Sequence, residues 1–143
     1  RLPIVLPSRV TKQFIKLMRD TSFKTSLVVH VNHPNELDNL TIESLRRCKE
    51  SGLILLNQSV LLRNINNNAD TLTKLSEVLF SAGVLPYYMH LLDRVKGASH
   101  FEVSDTEALS LEAQLRTRLP GYLMPTFVRE ISKKGSKTPL AQI

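Results

Sequence analysis

The chain has 143 residues, 42% hydrophobic and 22% charged, the balance of one ordinary globular domain with a real core. No apolar stretch reaches the roughly 18 residues of a membrane span and no secretory signal opens the chain, and the single cysteine, Cys48, excludes an internal disulfide and a cysteine-only zinc or iron–sulfur site. The net charge of +6 raises nucleic acid as a partner, but the basic residues (Lys12, Lys16, Arg19; Arg46, Arg47, Lys49) spread over helix faces without interleaved aromatics. A solvated surface, no direct nucleic acid, no membrane and a cytoplasmic home are the expectation.

Leu2 to Leu6 is short, apolar and bracketed by prolines, which reads as a buried strand. Thr11 caps a helix to about Thr21 with Phe14, Ile15, Leu17 and Met18 on its apolar face. The β-branched run Ser26 to Val31 is the next strand. A helix from about Thr41 to Glu50 carries Ile42, Leu45 and Cys48 on one stripe, and Gly52 ends it. Leu53 to Leu62 is a strand interrupted by Asn57, Gln58 and Ser59. After the Asn66-Asn67-Asn68 loop, Asn68 or Asp70 caps a helix that buries Leu72, Leu75, Val78 and Leu79 and stops at Gly83. Leu85 to Leu92 is the fourth strand. Ser104 and Glu107 form a capping box for a helix to about Arg118, and Pro120 and Gly121 separate it from the apolar strand Tyr122 to Val128.

Strand and helix thus alternate about every 25 to 30 residues, the signature of parallel βαβ units. Neither glycine-rich nucleotide fingerprint is present, which favours a barrel-like sheet over a doubly wound one. The five strands fall short of the eight or so, and the 250 or so residues, that a closed (β/α) barrel takes. The expected fold is therefore part of a (β/α) barrel with parallel strands, a chain that begins directly in a strand and looks cut.

Ligands of such sheets sit at the carboxyl ends of the strands. The unusual polar residues fall there: His30, Asn32 and His33, then Asn57 and Gln58, then Asp93. Three strand ends with hydrogen-bonding groups point to a polar ligand pocket, although Asn57 and Gln58 also suit a β-bulge. Asp93 suits an ammonium ligand or, alternatively, a loop pair with Arg94 or Lys96. Tyr87 and Tyr88 read as packing, and His90 and His100 as structural or surface residues. His33 and Glu36 are metal-ligand types, but no further ligand at suitable spacing supports a metal site. The stretch Arg129 to Pro139 reads as a charged flexible tail. A lysine in a Gly-Ser turn after a barrel strand is also suited to Schiff-base chemistry; Lys133, Lys134 and Lys137 compete for that role, and spacing does not choose among them.

The ordered blocks Arg1-Leu2-Pro3-Ile4-Val5-Leu6-Pro7-Ser8-Arg9, His30-Val31-Asn32-His33-Pro34-Asn35-Glu36, Leu56-Asn57-Gln58-Ser59-Val60-Leu61-Leu62-Arg63, Pro86-Tyr87-Tyr88, and Gly121-Tyr122 with Pro125 resemble the C-terminal half of the lysine 2,3-aminomutase family. Ser136-Lys137-Thr138-Pro139-Leu140 resembles its short bacterial members, which act with elongation factor P. Such enzymes are radical isomerases that use S-adenosylmethionine, a [4Fe-4S] cluster and pyridoxal phosphate to turn L-lysine into β-lysine.

The resemblance implies residues 1–128 as the C-terminal half of a radical S-adenosylmethionine (β/α) barrel and 129–143 as a segment carrying the cofactor lysine. It places Lys137 where the family attaches pyridoxal phosphate. His30 and Gln58 match positions that contact S-adenosylmethionine, and Asp93 and Glu130 match the acidic positions that hold the substrate's side-chain ammonium. The family's Cys-x3-Cys-x2-Cys motif is absent, so the cluster's ligands are expected outside this chain, before residue 1, and these residues alone are expected to be inactive. The missing cysteine-rich extension and the Ser132 to Ser136 stretch favour the short type, with elongation factor P as a functional link and homo-oligomerisation left open. The alternatives are a non-catalytic binding module with a basic C-terminus and an aldolase-like Schiff-base barrel.

Overall fold

Parallel strands joined by helices need a buried, β-branched or leucine-rich ladder, and the chain supplies one. The computed structural model describes residues 1–93, 97, 99–131 and 134–142. Its five-stranded sheet runs in the order β1 (Ser26–His30), β2 (Ile54–Leu61), β3 (Leu85–Leu91), β4 (Thr126–Arg129) and β5 (Thr138–Pro139). The first four strands are parallel and β5 is antiparallel to β4. Helices α3 (Asn39–Glu50), α4 (Ala69–Ser81) and α5 (Asp105–Arg116) make the three parallel connections. Two short helices precede them, α1 (Leu2–Val5) and α2 (Lys12–Asp20).

The starts and stops are local chemistry. Thr11, Asp38, Asn68 and Ser104 each accept a hydrogen bond from a first-turn N–H of the helix they cap. Gly52 and Gly83 follow α3 and α4 with φ of +94° and +83°, a backbone state that side chains with a Cβ rarely adopt.

Strand alternation separates two sheet faces. In β2, Leu55, Asn57, Ser59 and Leu61 are buried, whereas Ile54, Leu56, Gln58 and Val60 are exposed or half-buried. One core cluster packs Val29, Leu55 and Val84 against Leu45, Cys48, Leu75 and Leu79. A second packs Leu61, Met89, Leu91 and Phe127 against Ala108, Leu111 and Leu115.

Three elements differ from the sequence expectation. Leu2–Val5 is a helical turn, followed by a 3-10 turn at Pro7–Arg9. Pro3 and Pro7 lack the N–H that a ladder needs but fit a first helical turn, and only Ile4 of α1 is buried. Tyr122 to Val128 is not one strand: Gly121–Leu123 is a 3-10 turn, Pro125 interrupts, and β4 starts at Thr126. Leu17 is exposed, so the apolar face of α2 is Phe14, Ile15 and Met18.

Candidate active site

Strand register assembles the site. His30 ends β1 and pairs across the ladder with Gln58, and Gln58 pairs with Tyr88 of β3. One row further lie Val60, His90 and Val128. The register between β2 and β3 shifts at Asn57/Gln58, the bulge that the polar interruption of this strand suggested. The stretch after β4 is not a loose tail in its described part, because β5 pairs Val128 with Pro139 and Arg129 with Thr138. One step beyond this antiparallel ladder Glu130 faces Lys137, and Nζ donates to Oε1 at 3.0 Å. Arg129 donates to Asp105 at the start of α5 and to the Leu92 carbonyl, fastening β4 beside Asp93.

Two clefts of about 700 and 370 Å³ share Gln58, Asp93, Glu130 and Lys137. His30, His90, Val60, Leu91 and Leu92 complete the smaller cleft; Tyr87, Tyr88, Ile131, Lys134, Gly135 and Ser136 complete the larger. These sizes suit cofactor-sized ligands. His30, Gln58, Asp93 and Glu130 therefore converge from the four parallel strands and the segments that follow them, and Lys137 from the turn before β5. Lys134 is exposed at the cleft, whereas the Lys137 side chain is 28% exposed. Lys133, and Arg94 and Lys96 as loop partners of Asp93, lie outside the described residues.

The electrostatics follow from these neighbours. The hydrogen bond from Lys137, and then its charge, hold the Glu130 carboxyl below its usual range. Burial first, and then the Lys137 cation, push His90 below the ordinary imidazole value, with Glu130 and Asp93 pulling the other way. Desolvation first, with the Arg1 guanidinium and the Lys137 cation adding to it, lowers His30 as well.

Other polar residues at the strand ends turn out to be stitches. Asn57 is 2% exposed; its Oδ1 accepts from Val31 N at 2.9 Å, and its Nδ2 donates to Val31 O and to Ser59 Oγ. Asn32 accepts from Val60 N, and buried Asn66 donates to the carbonyls of Asn32 and Val60. His33 and Glu36 form a capping box on the 3-10 turn Pro34–Glu36, and Glu36 also receives Arg1. Asn32, His33 and Glu36 thus spend their polar atoms on loop geometry. His90 and Tyr88, read from sequence as structural and packing residues, are instead part of the pocket wall. Their spacing of two, opposite in parity to buried Met89 and Leu91, was the available signal. Cys48, buried against α3's neighbours with its thiol pushed up by burial, lies in the core and brings no thiolate to the clefts.

No family model matches the chain. In sequence it is 49% identical over 98% of its length to the L-lysine 2,3-aminomutase of Escherichia coli (strain K12), and 45% identical over 99% to that of Haemophilus influenzae. It spans 41% and 42% of those two proteins, about two fifths of their length. In structure it is similar to a radical SAM methyltransferase from Sphaerobacter thermophilus, with a TM-score of 0.62 and 18% identity over 82% of this chain and 37% of that one. The chain thus has the fold of part of a radical SAM enzyme and is homologous, along nearly its whole length, to part of the L-lysine 2,3-aminomutases.

Proposed function

We propose that the protein carrying this chain is a lysine 2,3-aminomutase, an isomerase that moves the amino group of L-lysine from C2 to C3. The observation that carries this reading is the convergence of Lys137, Glu130, Asp93, Gln58 and His30 on one cleft. The chain's residues suit pyridoxal phosphate: a lysine amine at the cleft, the Tyr87 and Tyr88 rings on its wall with centroids 3.9 Å apart and a 33° tilt, and open space at Gly135. When bound, that cofactor supplies delocalisation that amino-acid side chains lack.

Lys137 is the attachment residue in this reading, and the turn before β5 sets its reach. Asp93 and Glu130 hold the far ammonium of the substrate and so orient a flexible amino acid by its distal end. Glu130 meets the Lys137 ammonium in this structure, so a substrate ammonium competes with it there. A side chain ending in a carboxylate is repelled by the same pair, which makes lysine the fitting substrate. His30 and Gln58, paired across β1 and β2, form the S-adenosylmethionine side. An iron–sulfur cluster is held by cysteine thiolates, which these residues do not bring to the clefts; its ligands belong to residues outside these 143. Modification of elongation factor P as the destination of β-lysine rests on the likeness of Ser136–Leu140 to the short bacterial enzymes.

The intact protein, reconstituted anaerobically with iron, sulfide, S-adenosylmethionine and pyridoxal phosphate, should form β-lysine. Borohydride trapping should leave the phosphopyridoxyl label on Lys137. Absence of β-lysine with the cluster verified would sink the activity, and a label on Lys133 or Lys134 would move the site.

A further inference from the structure

We infer that His90 is a positioning residue for Lys137: from the rigid centre of the sheet its Nε2 holds the lysine's Nζ at the junction of the two clefts. The inference deepens the reading above and rests on Lys137 being the attachment residue. Nε2 lies 3.4 Å from Nζ. The imidazole is oriented by an edge contact with Tyr88, ring centroids 5.8 Å apart at 73°, and the Tyr88 ring in turn lies 5.4 Å from Nζ. His90 is anchored in β3 between β2 and β4, whereas Lys137 sits in a turn after Gly135 and Ser136. A lysine side chain on such a turn has several rotors to order, and Glu130, its other partner, is 59% exposed. A half-buried imidazole on a strand is the more rigid of the two holds.

The contact requires a neutral ring with the proton on Nδ1, so that the Nε2 lone pair faces the ammonium. The charged and titratable groups facing His90 are Lys137, Glu130, His30 and Asp93, with the Tyr88 phenol ring at its edge. Burial and Lys137 favour the neutral ring, and the two carboxylates oppose them more weakly. Protonation sets an imidazolium against an ammonium, and the hold on Lys137 is lost.

The test is a ring-15N NMR titration of the histidines in the intact protein without cofactor, comparing wild type with Lys137→Met. Wild-type His90 should titrate below 6.5, and removing the lysine cation should move it upward. An unchanged titration in Lys137→Met overturns the inference, whatever the protein's activity. Trapping of pyridoxal phosphate by borohydride gives the second readout. His90→Phe should slow labelling of Lys137 by about tenfold, the loss of one hydrogen bond to a charged group, and His90→Gln should restore most of it. Wild-type labelling in a folded His90→Phe also overturns the inference. Should His90→Phe not fold, His90→Gln and the titration decide. If wild-type Lys137 fails to label while the NMR coupling persists, the attachment reading falls and the His90–Lys137 contact stands.

Discussion

Replacing Asn57 with alanine tests whether the site is built on the stitch between β1 and β2. Asn57 gives Val31 N–H its acceptor at 2.9 Å and donates to Val31 O at 3.1 Å and to Ser59 Oγ at 2.8 Å. Val31 is fully buried, and its carbonyl keeps the Ser59 hydroxyl at 2.7 Å. The substitution therefore orphans one buried donor and removes two further bonds. An orphaned N–H costs about 1–3 kcal/mol and each net bond about 1 kcal/mol, giving roughly 3–5 kcal/mol in all. Typical domains hold only about 5–15 kcal/mol, so the loss is a large fraction of the total. Urea unfolding of wild type and Asn57→Ala should show a lower midpoint at an unchanged slope. Ser59→Ala removes two bonds and should cost about 2 kcal/mol, with no orphaned acceptor because Asn57 remains on the Val31 carbonyl, and the double variant should be non-additive. A loss below about 1 kcal/mol for Asn57→Ala would refute the account, because the orphaned donor alone exceeds it.

Phe127, 1% exposed in the core under β4, should cost about 3–5 kcal/mol on truncation to alanine, read as a fall in the urea midpoint; a near-neutral result would mean that this part of the core is not packed as described. Acid should destabilise the fold in two steps. His30 and His90 titrate below the ordinary 6.5, so their neutral forms contribute stability that is full above pH 6.5 and is lost as pH falls from there toward their folded values. Asp38 and Glu130, held below 3.8 and 4.5, add a further loss as pH falls from those values toward their lower folded ones. Thermal midpoints from pH 8 to 2 measure this, and a midpoint that rises between pH 7 and 5.5 contradicts the histidine assignment.

Much of the fold was legible because its signals are local. The caps Thr11, Asn68 and Ser104, the glycines after α3 and α4, and the apolar stripes of α3 and α4 each act within a turn or two of chain, and each stands where its residue type says it should. The candidate residues were legible for a related reason: polar side chains at strand ends conflict with a hydrophobic ladder unless something there uses them. What that use is does not follow from residue type. Asn57 and Gln58 are neighbours in sequence, yet opposite parity sends one into a buried stitch and the other to the cleft.

By itself, then, the sequence determined the βαβ alternation, most of the helix ends and the polar candidates at the strand ends, since these depend on residue type and short-range spacing, while Glu130 and the choice of Lys137 came from the family resemblance and the Asp38 cap of α3 was missed. The tertiary structure alone decided that Leu2–Val5 is helical, that Thr138–Pro139 returns antiparallel to β4, and that Glu130 and His90 both meet Lys137. Those contacts join residues 7 and 47 positions apart. Their existence depends on the register of β4 against β3 and β5, a long-range quantity that no local pattern encodes.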